Sequence, residues 1–139
     1  MTKITLNSEI IKFIALFEQI TRAHVKDCFF SKDKLVFVVQ EGEIGKALGK
    51  KKFNLHKLEQ LLNRKIKIVE FNSHMLQFIV NLMYPLKIED MTEEEGIVTI
   101  TGSDMKTKGL MIGARAQNLR NYEETIKRYF PELKEIKVI

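Results

Sequence analysis

Leu48-Gly49-Lys50-Lys51-Lys52-Phe53-Asn54-Leu55 and Ile112-Gly113-Ala114-Arg115-Ala116-Gln117-Asn118-Leu119 stand 64 positions apart in a chain of 139 residues. Each stretch has an aliphatic residue, a glycine, three small or basic residues, then Asn and Leu at matching places. Apolar residues follow at helical spacing, Leu55, Leu58 and Leu62 in the first case and Leu119, Tyr122, Ile126 and Tyr129 in the second. That spacing predicts helices over Phe53 to Asn63 and over Ala116 to Tyr129, the latter ended by Pro131.

Working outward from the first glycine, Ile10, Phe13, Ile14, Phe17 and Ile20 mark an amphipathic helix over about 8–22, with Asn7 or Ser8 as its cap. Val25 to Phe30 and Leu35 to Val39 read as strands around a turn at Ser31 to Lys34, and Glu41 to Gly49 reads as a short helical stretch. Lys65 to Phe71 alternates polar and apolar residues as a closing strand. Around the second glycine the same order recurs. A helix spans His74 to Met83, stopped by Pro85, and strands Leu86 to Met91 and Ile97 to Thr101 flank a turn at Thr92 to Gly96. A helix then covers Asp104 to Ile112, capped by Ser103, and Glu135 to Ile139 closes as a strand. The closing strands Ile66 to Val69 and Ile136 to Ile139 align only after about six extra residues, which this reading places in the last helix. Two copies of one α+β unit are predicted, residues 1–71 and 72–139, each ordered α-β-β-α-α-β around a three-stranded mixed sheet.

Composition narrows the function. Hydrophobic residues make up 45% and charged residues 29%, enough apolar content to bury a core. The net charge of +5 favours a polyanionic partner. All of that surplus lies in the first copy: residues 1–71 hold 14 Lys and Arg against 8 Asp and Glu, and residues 72–139 hold 9 against 10. The single cysteine, Cys28, excludes an internal disulfide and reads as a buried apolar residue of a strand. His24, His56 and His74 are too scattered for a metal motif, and Gly42 to Gly49 lacks the Lys-Ser/Thr ending of a P-loop. No catalytic constellation, cofactor site or metal site is expected. Met1 to Leu6 lacks the features of a signal peptide, and the apolar stretch Met75 to Met83 is too short to span a bilayer. The expected location is cytoplasmic, without membrane contact.

The two glycine stretches resemble the KH domain, whose pattern is an aliphatic residue, Gly-x-x-Gly, then a helix carrying another aliphatic residue. A helix and strand before the core and a strand at its end are the type II (prokaryotic) arrangement. Two such units in tandem over about residues 8–139 resemble the archaeal NusA family of transcription factors. The resemblance implies single-stranded RNA as ligand, RNA polymerase as partner, a monomer, and a role in transcription elongation or termination. It places Lys46, Leu48, Gly49, Lys50, Lys51, Lys52, Asn54 and Leu55 at the RNA in copy one. In copy two the corresponding residues are Ile112, Gly113, Ala114, Arg115, Ala116, Asn118, Leu119 and Arg120. The family's apolar floor under the bases would come from Leu48, Leu55 and Leu58, and from Ile112, Leu119 and Tyr122.

Both copies depart from the family pattern at the second glycine, which is Lys52 in one and Ala116 in the other. A Cβ there either costs about 1 kcal/mol in a left-handed backbone or blocks close phosphate approach. The rival reading is a protein-interaction module in which such loops no longer hold RNA and the acidic second half docks a partner in the transcription machinery. A ribosome-associated KH protein would share the chemistry and differ in address.

Overall fold

A computed structural model describes residues 7–139. The opening segment, read above as carrying no signal peptide, lies outside the described residues. The described chain divides into two compact units, 7–73 and 74–139.

In the first unit, α1 (Ser8–Thr21) is followed by β1 (Val25–Ser31), β2 (Lys34–Val39), α2 (Ile44–Leu48), α3 (Phe53–Leu62) and β3 (Lys65–Glu70). The sheet order is β1-β2-β3, with β2 antiparallel to β1 and parallel to β3. Leu35 to Val39, an unbroken apolar run, is buried at every position of the central strand, and Leu35, Phe37 and Val39 enter this unit's core. The helices close over one face, where Phe17 of α1 stacks on Phe37 of β2 with ring centroids 4.2 Å apart. Cys28 is 2% exposed in this core. Burial first, and then the neighbouring Asp27, push its thiol up to about 12, so it packs as an apolar group and does not act as a nucleophile.

The second unit repeats the order with α4 (Met75–Met83), β4 (Ile88–Glu94), β5 (Ile97–Gly102), α5 (Met105–Ile112), α6 (Gln117–Lys127) and β6 (Glu135–Val138). Its sheet is β4-β5-β6, with β5 antiparallel to β4 and parallel to β6. This is the expected type II KH architecture in both units, an α+β fold with two three-stranded mixed sheets. The repeat extends to a side-chain detail. Glu59 of α3 accepts from the Ile66 N–H of β3 at 3.3 Å, and Glu123 of α6 accepts from the Ile136 N–H of β6 at 2.7 Å. A carboxylate thus ties the last helix to the last strand in each unit.

Three sequence expectations need correction. Of the six extra residues of the second copy only one lies in its last helix, since α6 has 11 residues against 10 in α3. The other five lengthen the connection, which runs over 63–64 in the first unit and 128–134 in the second, where Pro131 cannot extend a helix while Phe130 and Leu133 anchor the loop by burial. Thr92 to Glu94 is strand, and the turn is reduced to Glu95 and Gly96, with φ of 52° and 86°. Two left-handed residues make the tight turn that suits a twisted hairpin, and the acidic run tolerates strand geometry because β4 is an exposed edge. Finally, Asp104 rather than Ser103 caps α5, accepting from the Thr107 N–H at 2.7 Å, and the helix starts at Met105.

Asn7 caps α1 in the same manner, accepting from the Ile10 N–H at 2.8 Å. The two caps differ in pH response. The Asp104 carboxyl is held below its ordinary 3.8, first by the Thr107 backbone N–H, so its contribution is complete above that value and is lost as pH falls through the lowered one. Asn7→Ala should therefore destabilise the first unit by about 1 kcal/mol at any pH. Asp104→Asn should instead lessen the acid-induced loss of stability of the second unit. Urea titrations at pH 7 and pH 3 separate the two; equal pH dependence of wild type and Asp104→Asn would contradict the assignment.

Candidate nucleic-acid interface

The glycine loops join α2 to α3 and α5 to α6, and their backbones agree to within a few degrees. Gly49 has φ 76° and ψ 174°, Gly113 φ 74° and ψ 174°. Lys51 and Arg115 follow at φ 53° and 55°, and Lys52 and Ala116 both at φ 60°. Gly49 and Gly113 occupy a region that is essentially restricted to glycine. A Cβ on Gly49 would come within 2.8 Å of the Asn54 side chain, and one on Gly113 within 2.6 Å of Asn118.

Those asparagines explain the second conserved spacing of the repeat within this chain. The Asn54 Nδ2 donates to the Lys46 carbonyl at 3.1 Å, and the Asn118 Nδ2 donates to the Leu110 carbonyl at 2.8 Å. Each lies against its glycine and ties the start of one helix to the last turn of the preceding one. In both copies the asparagine therefore sets the loop's shape, and the glycine makes room for it.

At the departing fourth position of the motif the backbone is left-handed in both copies, so of the two consequences read from the sequence the strain is present. Lys51 and Arg115 share that conformation, which costs roughly 1–2 kcal/mol per non-glycine residue. Consecutive strained residues in a loop are a mark of a functional site. Among the described residues, the backbone N–H groups of Lys50 and Lys51 donate to no backbone carbonyl, and the same holds for Ala114 and Arg115. Two successive free N–H groups in such a turn form a small anion-accepting concavity.

The side chains around the two loops differ. Lys50, Lys51 and Lys52 are exposed and have no acidic partner within ion-pair distance among the described residues. Lys46 lies 3.5 Å from Glu43, which also accepts from the His24 backbone N–H and lies 3.1 Å from its ring nitrogen. Burial opposes ionisation of Glu43, yet His24 and Lys46 hold its carboxyl below the ordinary value. Lys46 is thus partly neutralised. In copy two Arg115 is exposed, but Arg120 is held by Glu123 at 2.9 Å. Its equivalent in copy one is His56, 3.7 Å from Glu59, so the residue at this place supports the carboxylate that ties helix to strand.

The apolar floor divides similarly. Leu58 is fully buried and Leu119 is 7% exposed, so both belong to the core. Leu48, Leu55, Ile112 and Tyr122 are half-buried and offer partial surface. Phe53, the residue after Lys52, is not among the candidate site residues read from the sequence, which places it only at the start of the helix. It is 63% exposed. Among the described residues no group of three or more His, Cys, Asp or Glu could hold a metal ion, and no helix is long and apolar enough to cross a membrane.

No protein-family model matches the chain. It is similar to the probable transcription termination protein NusA of Methanococcus vannielii, at 32% identity over 99% of this chain and 80% of the relative. The similarity to the protein of that name from Halobacterium salinarum is also 32%, over 91% of this chain and 93% of the relative. The Methanocaldococcus jannaschii protein of the same name is 28% identical over all of this chain and 77% of its own length. Among solved structures, that of APE1850 matches with a TM-score of 0.71 and 26% identity, over 96% of this chain and all of the other.

Proposed function

We propose that this chain, which belongs to the archaeal NusA family, is a non-catalytic transcription termination and elongation factor that holds single-stranded RNA in its glycine loops, chiefly the first. The observation that carries this reading is the lysine-bearing loop of copy one. There, free backbone N–H groups and three unpaired cations face solvent from a strained, glycine-dependent backbone. Such a loop suits the phosphates of a flexible strand, whose bases remain open to neighbouring side chains. The second loop has the same backbone but offers one unpaired cation, Arg115, and its unit carries no net positive charge. The relatives' name, transcription termination protein, supports an address at the transcription machinery, and RNA polymerase is the partner proposed there.

Equilibrium binding of short single-stranded and duplex RNA across a salt series tests this reading. The single strand should bind more tightly, and the logarithm of its affinity should fall with the logarithm of salt by about 0.7 for each phosphate held. Equal binding of duplex, or none of either, would overturn the RNA assignment. Recovery of mature ribosomal subunits alone, without polymerase or nascent transcript, from a lysate of an archaeon would overturn the address.

A further inference from the structure

We infer that Phe53 is a base-stacking residue of the first loop, placed to hold the nucleobase next to a phosphate bound by Lys50 to Lys52; the inference rests on the RNA reading above. Phe53 opens α3 with helical backbone, φ −57° and ψ −44°, and is 63% exposed. Its ring is not among those packed against the first unit's core, and it makes no ring or cation contact among the described residues. Phe30, the other exposed aromatic of this unit, is different. Its ring meets the edge of Phe13 at 6.1 Å and is covered by the Arg64 guanidinium at 5.2 Å. Phe53 alone of the two presents an uncommitted face, and it does so directly after three unpaired lysines.

An exposed aromatic beside a cationic loop is the combination that binds single strands, since the cations track the backbone and the ring stacks a base. Folding alone gives little reason for the ring. The second copy carries Gln117 at the same place, with φ −63° and ψ −43°, and glutamine is a better helix former than phenylalanine. The side-chain amide nearby, that of Asn54, already donates to the Lys46 carbonyl. Phe53 therefore adds affinity with little dependence on base identity, because every base has a face to stack.

The test compares a short single-stranded RNA with an abasic ribose-phosphate strand of equal length, using the full chain. Phe53→Gln places in copy one the residue that copy two already accommodates, so the fold is retained; Phe53→Tyr keeps a stacking ring. Phe53→Gln should weaken binding of the base-bearing strand roughly 5- to 150-fold, the range of base–aromatic stacking. Its salt dependence should stay unchanged, Phe53→Tyr should bind as wild type does, and the abasic strand should not distinguish the three proteins. Wild-type affinity in folded Phe53→Gln, or an equal loss on the abasic strand, would overturn the stacking role and leave the phosphate contact standing. A wild-type chain that binds neither strand would overturn the RNA reading, and this inference with it.

Discussion

Lys50→Asp combined with Lys51→Asp is expected to weaken single-stranded RNA binding on the order of 100-fold, while Ala114→Asp with Arg115→Asp has a much smaller effect. A hydrogen bond to a charged group contributes about 1.5–3 kcal/mol, so two lost phosphate contacts at the low end give that factor before any repulsion is counted. The salt slope of the lysine variant should also fall by about 1.4. Its fold should not suffer. Both side chains are exposed, and Asp is among the few residues that tolerate the left-handed backbone of Lys51. Stability should therefore change by no more than about 0.5 kcal/mol. Unchanged affinity and slope in the folded lysine variant would refute the first loop as the main contact. Equal losses from the two double variants would mean that both copies bind, and the asymmetry argued from charge would fail.

Much of this architecture was legible because the signals are periodic. Helical stripes such as Leu55, Leu58 and Leu62, and the offset between Gly49 and Gly113, survive whatever the tertiary context does to an individual residue. What escaped the sequence depends on where single side chains end up. The Thr92 to Glu94 run reads as a turn by composition, yet an edge strand accepts acidic side chains that a central strand would reject. Arg120 reads as a loop cation until the fold brings Glu123 to it at 2.9 Å. Asn54 and Asn118 share a matched spacing from a glycine, which a resemblance to RNA-binding loops assigns to the ligand; the fold adds that their amides hold the loop itself. Phe53 shows the opposite limit. Nothing in a sequence distinguishes a buried helix-initial phenylalanine from one whose ring stays in water, and only the course of α3 decides it.

The two glycine positions of the motif, the first kept and the second replaced in both copies, should respond to substitution with opposite signs, most cleanly in the second copy, where no charge changes. Gly113→Ala should destabilise its unit by about 2–4 kcal/mol. Of this, about 1–3 comes from forcing a side chain into a glycine-only backbone region. About 1 more follows from displacing Asn118, 2.6 Å from the new Cβ, off the Leu110 carbonyl. Ala116→Gly should do the reverse, because it deletes a Cβ from a residue at φ 60° and ψ 23°. Relief of left-handed strain is worth roughly 1–2 kcal/mol. The greater freedom of glycine in the unfolded chain returns about 0.4–1 of this, leaving a net gain of up to about 1.6 kcal/mol. Gly49→Ala and Lys52→Gly should follow the same signs in copy one, with Lys52→Gly also lowering the salt slope of RNA binding if that lysine touches a phosphate. Urea unfolding at constant slope measures each change. A destabilised Ala116→Gly, or a Gly113→Ala as stable as wild type, would show that the loop relaxes around these residues, and the strained backbone argued for both sites would have to be abandoned.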